Sequence, residues 1–389
     1  MSYYLKVPAR INILGNPSDA VEGDFATISM AISLYAHAII EPSDKIVFEM
    51  RAPGSGNDNQ SKDFPLNSVF ECELSNSLIP MDDEPKLCKG AFNFLLKISP
   101  EFRSKICRRG FRLTTWSEVP RQSGLGGSSL FVILTLAALR EFYHLDTQIM
   151  NNYVLAEMTQ RIEENELGIT CGFADRYVPI FGGLAYIDYR GKLFHKSITQ
   201  EPFATYEILN RWAGKLSLVA ITTGLKHDSG NIHHAMRTKY LEEYNTWYHK
   251  GGSKPPMIKY MERIWETAWK GKIALLNSEM ETFGQMMNLN HGVVNDMMNY
   301  CGFQEGAGRL NNLLIQTALN QHALGAKLTG AGQGGSIYAL VKPGKENELA
   351  DVWEKQIKEL NLQNASIYTP KISVQGLSIK DKENKTGLI

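Results

Sequence analysis

Apolar residues recur at helical spacing in several parts of the chain. Between residues 86 and 98, the apolar positions on one face are Leu87, Ala91, Phe94, Leu95 and Ile98. An apolar stripe with a period near 3.6 residues predicts an amphipathic helix. Similar patterns predict helices over residues 130–143, 152–166, 258–287 and 310–324, and a further helix that begins at Ser229.

Short apolar runs between these segments predict buried strands. Residues 26–40 are rich in alanine, isoleucine and serine and predict a strand pair. Single strands are predicted over residues 111–115, 216–222 and 336–341. The polar segment 54–62 predicts an exposed loop, and the Gly/Pro-rich segment 251–256 predicts a break between two helices.

The chain is long enough for two domains. It has 389 residues, and a second series of elements begins near Lys215. We therefore predict an N-terminal domain over residues 1–205 and a C-terminal domain over residues 206–389. The sequence contains no internal repeat and no low-complexity segment.

Charge and composition exclude several classes of protein. Lysine plus arginine equals aspartate plus glutamate, 41 against 41, so no overall field attracts nucleic acid or an anionic membrane. The five cysteines include no CxxC pair, which argues against a zinc site or a disulfide framework. No apolar run approaches the ~20 residues of a membrane span. We expect a cytoplasmic protein with no nucleic-acid or membrane partner.

Residues 120–131 (PRQSGLGGSSLF) contain three glycines in four positions and a serine pair: Gly124, Gly126, Gly127, Ser128 and Ser129. Glycines let a backbone curl tightly and bring its amides close to a ligand. The serines lie where the next helix begins, and a helix N-terminus binds phosphate. No lysine precedes the serines, so this is not a Walker loop. A glycine-rich turn with a serine cap is the structural alternative.

Residues 327–338 (KLTGAGQGGSIY) contain a GxGxxG pattern. A dinucleotide-binding fingerprint needs a helix after it, whereas residues 336–341 have the composition of a strand. We therefore predict a glycine loop between two strands. Such a loop can surround a phosphate with its amides, or it can be a structural hairpin.

Residues 8–19 (PARINILGNPSD) form a strand-like run that ends in a turn. The turn presents Asp19, which could accept hydrogen bonds from substrate hydroxyls, and Arg10 precedes it on the strand. In isolation, an Asx-type turn explains Asp19 equally well.

These three segments, in this order, closely resemble the three signature motifs of the GHMP kinases, a family of small-molecule kinases. The resemblance covers residues 8–341, most of the chain. It implies an α+β, two-domain fold: an N-terminal domain like ribosomal protein S5 domain 2 and a ferredoxin-like C-terminal domain. It also implies ATP and Mg²⁺ as cofactors.

A fourth segment, residues 164–183, resembles the part of these kinases that carries acidic functional residues. By position, Glu164 matches a magnesium ligand and Asp175 matches the aspartate beside the acceptor hydroxyl. Glu163 and Glu166 are close in sequence, so either of them could be the magnesium ligand in place of Glu164. A solvated acidic helix face is the structural alternative for these glutamates.

The resemblance assigns roles residue by residue. Asp175 would act as base and Arg10 would stabilise negative charge. The nucleotide would contact Pro120, Gly124, Leu125, Gly126, Gly127, Ser128, Ser129, Gly330 and Gly332. The acceptor would contact Asn16, Asp19, Arg121, Arg176, Gly330 and Ala331. Magnesium would bind Ser128 and Glu164.

The acceptor is predicted from the first motif and from arginines. Gly15-Asn16-Pro17 places a neutral amide where sugar kinases of the galactokinase kind carry a glutamate, which removes a negative charge that would repel an anionic acceptor. Arg121 and Arg176 could bind a carboxylate in bidentate geometry. Further details, including residues 228–237 (DSGNIHHAMR), resemble family members that phosphorylate D-glucuronate at its anomeric hydroxyl.

Other interpretations stay open at this point. A neutral sugar or a sugar phosphate could be the acceptor, and a relative without catalysis could bind ligands as a sensor. The pair His233-His234 is explained by a surface position. We expect a monomer or a homodimer.

Overall fold

The computed structural model describes residues 1–21, 25–52, 65–82, 84–120, 123–192, 198, 202–225, 229–330 and 332–382. The predicted loop at 54–62 and two predicted acceptor contacts, Arg121 and Ala331, lie outside these residues.

Two sheets and a set of helices make up the described chain. The strands are β1 (Tyr3–Leu14), β2 (Ala26–Ser43), β3 (Ile46–Arg51), β4 (Leu66–Cys72), β5 (Gly110–Ser117), β6 (Leu184–Asp188), β7 (Thr205–Ile208), β8 (Leu218–Thr222), β9 (Gly325–Leu328), β10 (Ser336–Leu340), β11 (Ser366–Tyr368) and β12 (Ser378–Asp381). The helices are α1 (Lys86–Ile98), α2 (Pro100–Ile106), α3 (Gly127–Phe142), α4 (Asn152–Arg161), α5 (Ala174–Phe181), α6 (Asn210–Ala213), α7 (Ser229–Lys250), α8 (Pro256–Asn277), α9 (Met280–Tyr300), α10 (Arg309–Asn320) and α11 (Glu346–Glu359).

The larger sheet has the strand order β12-β1-β2-β5-β3-β4, with β6 also on β2 and β7 on β6. The predicted strand pair at 26–40 is wrong, because β2 is one continuous strand over Ala26–Ser43. Residues 26–41 contain no glycine, proline, asparagine or aspartate, residues that commonly form tight turns. One half of β2 pairs with β5 and the other half pairs with β6.

The smaller sheet is antiparallel, with the order β11-β8-β10-β9. Its core includes Val219, Ile337 and Trp353, which joins α11 to the strands. The loop at 329–335 connects β9 to β10, so the prediction of a glycine loop between two strands is confirmed. A dinucleotide fingerprint is thereby excluded at this loop.

The sheets divide the chain differently from the predicted boundary after residue 205. Strand β7 spans that boundary and pairs with β6 in the larger sheet. Strand β12, near the end of the described chain, pairs with β1 in the same sheet. The N-terminal sheet therefore takes strands from both predicted domains.

Two of the predicted helices are interrupted in the structure. The helix predicted over 258–287 is two helices, because Ser278 adopts a left-handed conformation with φ 65° that ends α8. The helix predicted over 152–166 is regular only to Arg161 and continues as a π turn over Ile162–Glu166. The π turn is closed by a hydrogen bond from the Leu167 amide to the Ile162 carbonyl at 3.1 Å.

Candidate active site

Two glycine loops that are remote in sequence touch each other. A Cβ added at Gly330 would lie 3.1 Å from the Cα of Gly124. The Ser336 hydroxyl donates a hydrogen bond to the Ser123 carbonyl at 2.7 Å. The C-terminal part of β1 lies beside these loops, because the backbone N–H of Asn12 donates a hydrogen bond to the Thr329 hydroxyl at 2.9 Å. All three predicted motifs therefore meet at one point of the fold.

Helix α3 begins inside this meeting point. Its N-cap is Gly126, which has φ 80° and makes no side-chain capping hydrogen bond. A Cβ at Gly126 would lie 3.4 Å from the Arg10 guanidinium carbon, so both the conformation and the close approach favour glycine. The first amides of a helix lack intrahelical partners, and they favour anions.

Arg10 on β1 holds Asp175 in the first turn of α5. Arg10 Nε donates to Asp175 Oδ1 at 2.6 Å, and Arg10 Nη2 lies 2.5 Å from Asp175 Oδ2. The remaining nitrogen, Nη1, donates to the Gly124 carbonyl at 2.6 Å. One guanidinium thus links the base candidate to the first glycine loop in bidentate geometry.

The charge state of Asp175 follows from these contacts. Burial by itself would raise the pKa of the Asp175 carboxyl, but the guanidinium groups of Arg10 and Arg176 outweigh it and lower the pKa to about 2. The Asp175 side chain keeps 23% of its surface exposed. It is therefore an ionised carboxylate that a ligand can reach.

Asp19 fixes the start of the helix that carries Asp175. Its Oδ2 accepts hydrogen bonds from the amides of Phe173 and Ala174, each at 3.0 Å. A Cβ at Gly172 would lie 2.2 Å from that oxygen, so the approach requires glycine. Burial, with Asp175 nearby, raises the pKa of the Asp19 carboxyl. Its contacts favour a positioning role beside the predicted contact with sugar hydroxyls.

A cavity opens between these groups. The polar side chains that line it are Arg10, Asn12, Asn16, Asp19, Asp175 and His233. The backbones of Gly172 and Gly330 complete its wall. Two carboxylates, one fully engaged guanidinium and neutral polar groups suit a small ligand that carries several hydroxyls.

Ser128 and Ser129 both donate to one buried carboxylate. Ser128 Oγ lies 2.8 Å from Glu163 Oε1, and Ser129 Oγ lies 2.9 Å from Glu163 Oε2. The side chain of Ser128 is exposed, whereas Glu163 is buried. Hydroxyl and carboxylate oxygens at a helix N-terminus are ligands that suit Mg²⁺ next to bound phosphates.

Family models match both halves of the chain. The model of the GHMP kinase N-terminal domain matches residues 86–183, and the model of the GHMP kinase C-terminal domain matches residues 272–359. The chain belongs to the GHMP kinase family.

Known relatives of this kinase cover nearly its whole length. Glucuronokinase 1 of Arabidopsis thaliana is 27% identical over 353 residues, which cover 86% of this chain and 84% of that protein. The D-glycero-alpha-D-manno-heptose 7-phosphate kinase of Campylobacter jejuni is 25% identical over 362 residues, which cover 90% and 93% respectively. The structure of Lactococcus lactis galactokinase complexed with galactose has a TM-score of 0.74 at 18% identity and covers 97% of this chain and 95% of that one. The predicted two-domain GHMP kinase fold is confirmed.

The assignment of Glu164 to magnesium requires correction. Glu164 Oε1 accepts from Arg237 Nη1 at 2.6 Å, so it faces α7 instead of Ser128. The neighbouring Glu163 occupies the position beside Ser128. The π turn explains the exchange, because its wider turn shifts the direction of each side chain relative to a regular α-helix.

The assignment of Arg176 to the substrate also requires correction. Arg176 is 1% exposed and forms a buried ion pair with Glu163. Its Nη1 donates to the Gly172 carbonyl at 2.5 Å. Its hydrogen-bonding contacts are with the protein, behind the wall of the cavity, so it supports the serine–carboxylate cluster instead of an acceptor.

Asn16 lines the cavity, but its amide is engaged by the third motif. Asn16 Oδ1 accepts from Lys327 Nζ at 2.7 Å, and Asn16 Nδ2 donates to the Thr329 carbonyl at 3.4 Å. Lys327 is fully buried, and burial, with Arg10 nearby, holds the pKa of its ammonium well below the usual value. The Asn16 amide therefore links two motifs, and the residue also lines the cavity.

The remaining predicted nucleotide contacts lie along the two loops. The Leu125 side chain is fully buried in the core, so this residue can offer only its backbone to a nucleotide. Pro120 is exposed at the entrance of the first loop. Gly332 has φ 99°, and its loop packs on Met298 of α9. Among the helices within the described ranges, none has the length and apolar character needed to cross a bilayer.

His233 is a cavity residue that the sequence analysis placed on the surface. The two adjacent histidines differ in environment, because His233 points into the cavity and His234 is exposed. The sequence of two adjacent histidines does not show which of them faces the cavity. That depends on how α7 packs against Val21 and Phe25, in the segment before β2.

Two histidines with lowered pKa values predict how stability changes with pH. Burial is the main cause that lowers the pKa of His233 and of His291 to about 4. An unfolded histidine titrates near pH ~6.5, so the unfolded chain binds more protons than the folded chain between these values. The free energy of unfolding should therefore fall as the pH drops from 6.5 towards 4.

Urea unfolding at pH 7.5, 6.0 and 5.0 measures this effect. In the variant His291→Gln, the free energy of unfolding should fall less over the same pH range, because one of the two histidines has been removed. A free energy of unfolding that stays level or rises on acidification would contradict the assignment of neutral, buried imidazoles.

Proposed function

We propose that this protein transfers the γ-phosphoryl group of ATP to a hydroxyl of a sugar. The observation that carries the proposal is the Arg10–Asp175 pair in a cavity where two glycine loops meet. Membership of the GHMP kinases supports it. The loops would hold the nucleotide phosphates, and the cavity would hold the sugar.

Phosphoryl transfer depends chiefly on positioning and on neutralisation of charge. The free amides at the start of α3, from Gly127 onward, would bind phosphate oxygens. Because Gly124 and Gly330 are in contact, a γ-phosphate bound at the first loop would also lie beside the third motif, on the side that faces the acceptor. These backbone groups need no reorganisation at the moment of transfer.

Asp175 would orient the acceptor hydroxyl and receive its proton. With a pKa of about 2, it is ionised at neutral pH and is a weak base. The proton would therefore move late, when the new P–O bond has already made the hydroxyl acidic. Arg10 lies between Asp175 and the Gly124 loop and would stabilise negative charge there.

The oxygens of Ser128 and Glu163 fit a magnesium ion that accompanies ATP. When bound, the ion would supply neutralisation of phosphate charge. Glu163 Oε2 is already held by Ser129 and Arg176, which leaves Oε1 beside the Ser128 hydroxyl.

Ser128→Ala should raise the Mg²⁺ concentration needed for half-maximal activity at least ~10-fold, because even the loss of a residue that only orients a metal ligand costs that much. Velocities measured across a Mg²⁺ series at fixed ATP test this. The matched control is Glu164→Gln, which should leave the Mg²⁺ requirement unchanged. If Glu164→Gln raises it and Ser128→Ala does not, the ion binds elsewhere.

We propose D-glucuronate as the acceptor, phosphorylated at its anomeric hydroxyl to give the 1-phosphate. Similarity to two Arabidopsis thaliana proteins, glucuronokinase 1 and a probable glucuronokinase 2, supports this choice. The neutral Asn16 adds no negative charge to the cavity. Since Arg176 is paired with Glu163, Arg121 is the predicted arginine that remains for the substrate carboxylate.

A neutral sugar is the second candidate acceptor, and the charges of the cavity residues support it. Among the residues the structure describes there, the cation is Arg10, and each of its nitrogens already has a partner. Two carboxylates, Asp19 and Asp175, face the same space. This balance favours an acceptor with hydroxyls over an acceptor with a further negative charge.

A panel of acceptors separates the candidates. Purified protein with ATP and Mg²⁺ is assayed for ADP release with D-glucuronate, D-galacturonate, D-glucose, D-galactose and a heptose 7-phosphate, and ³¹P NMR locates the phosphate in each product. We expect the highest kcat/KM with D-glucuronate and an anomeric phosphate. A higher value with a neutral sugar supports the second candidate. No turnover with any acceptor contradicts the kinase proposal and favours a ligand-sensing relative.

A further inference from the structure

The N-terminal part of α7 brings a histidine into the cavity from the second half of the chain. His233 shares the lining with Arg10 and Asp175, which belong to the N-terminal sheet and its helices. The cavity is therefore closed by a side chain from a segment outside the four motifs discussed above. The mechanism proposed above does not use this side chain.

One ring nitrogen of His233 lacks a partner. The Nδ1 atom is buried from solvent and makes no hydrogen bond to any residue within the described ranges. Buried polar atoms are nearly always hydrogen-bonded, and one without a partner calls for a ligand or an ordered water. Because the side chain lines the cavity, the bound acceptor is the natural partner.

The surroundings keep the imidazole neutral. Burial lowers the pKa of His233 to about 4, and Arg237, Arg176 and Arg10 act in the same direction while Asp175 opposes them. A neutral imidazole offers one donor and one acceptor nitrogen. A sugar hydroxyl both donates and accepts, so it matches Nδ1 in either tautomer, whereas a carboxylate would gain no charge compensation from this ring.

We infer that His233 determines acceptor specificity by hydrogen-bonding, through Nδ1, a sugar hydroxyl other than the one that is phosphorylated. Asp175 is assigned the reacting hydroxyl, so the two residues would hold different positions of one ring. This inference rests on the proposed sugar kinase function. His233 is assigned a role in binding the acceptor and no role in binding the nucleotide.

Steady-state kinetics of His233→Leu test the inference. Losing a hydrogen bond that the acceptor makes in both ground and transition state should raise the KM for D-glucuronate, or for the best acceptor of the panel, about 10-fold. The KM for ATP and kcat should change little. His233→Asn, whose amide can replace Nδ1, should recover most of the affinity. The matched control is His234→Leu on the exposed side of the same turn, which should behave like the wild type.

Deoxy sugars identify the contacted hydroxyl. One monodeoxy analogue of the acceptor should lose about 10-fold in kcat/KM with the wild type and should lose nothing further with His233→Leu, because both changes remove the same hydrogen bond. If His233→Leu does not fold, as judged by its melting temperature and ATP affinity, the same comparison is made with His233→Ala, which also lacks both ring nitrogens.

Three outcomes would overturn the inference. They are an unchanged acceptor KM in His233→Leu, a loss confined to kcat, and additive losses for every deoxy analogue. If the wild-type protein phosphorylates no sugar of the panel, the proposed function itself fails, and this inference fails with it. An active wild type with an insensitive His233→Leu refutes the histidine alone.

Discussion

Asp175→Asn is expected to lower kcat at least ~100-fold, the low end for loss of a positioned general base. Asparagine keeps the size of the side chain, but it cannot take a proton and it removes the charge that faces Arg10. The KM for ATP should stay close to the wild-type value, because the amides of the α3 loop are unchanged. Coupled ADP assays at saturating substrates give both constants.

The control for this variant is Asp351→Asn, an exposed aspartate on α11 that lies outside the three motifs. It should keep wild-type kcat. If Asp175→Asn retains a kcat within ~10-fold of the wild type, less than the smallest effect of a general base, Asp175 is not the base.

Arg10→Met is expected to reduce kcat by a similar ~100-fold, because it removes charge stabilisation that is preorganised at the site of transfer. It should also change the acid limb of the kcat–pH profile. With the Arg10 guanidinium gone, Arg176 is the main group left to oppose burial, so the pKa of Asp175 should rise from its wild-type value of about 2. A new acid limb should therefore appear at a pH where the wild type shows none from this group.

The same change weakens the contribution of Asp175 to stability. In the wild type its folded pKa lies below the unfolded value of 3.8, so the ion pair stabilises the fold above pH ~4 and this is lost as the pH falls towards 2. In Arg10→Met the folded pKa should rise towards the unfolded value, so ionisation of Asp175 stabilises the fold less than in the wild type.

The double variant Arg10→Met/Asp175→Asn isolates this term. The difference in unfolding free energy between the wild type and Asp175→Asn should grow as the pH rises from 2 to 5, and the corresponding difference between Arg10→Met and the double variant should grow less. Equal growth in the two pairs would show that Arg10 does not control the ionisation of Asp175.

Local patterns in the sequence predicted the elements and the loops well. The apolar stripe at 86–98 corresponds to α1 over Lys86–Ile98. The strand composition of 336–341 correctly excluded a dinucleotide fingerprint, because β10 follows the glycine loop. These features depend on residues close together in sequence, where period and turn chemistry decide the conformation.

The identity of individual site residues depended on contacts that no local pattern encodes. Glu163 replaces Glu164 beside Ser128 because a π turn interrupts the predicted helix. Arg176 points away from the cavity because its partner, Glu163, lies on a neighbouring element. His233 enters the cavity because α7 packs against Val21 and Phe25, in the segment before β2. Each correction concerns the direction of one side chain.

The most direct test of the proposed site is a crystal structure with a non-hydrolysable ATP analogue, Mg²⁺ and D-glucuronate. We expect the γ-phosphate between the two glycine loops and the anomeric hydroxyl oxygen within about 3 Å of an Asp175 carboxylate oxygen, the reach of a general base. A sugar bound outside the cavity, or an acceptor hydroxyl remote from Asp175, would contradict the proposed mechanism.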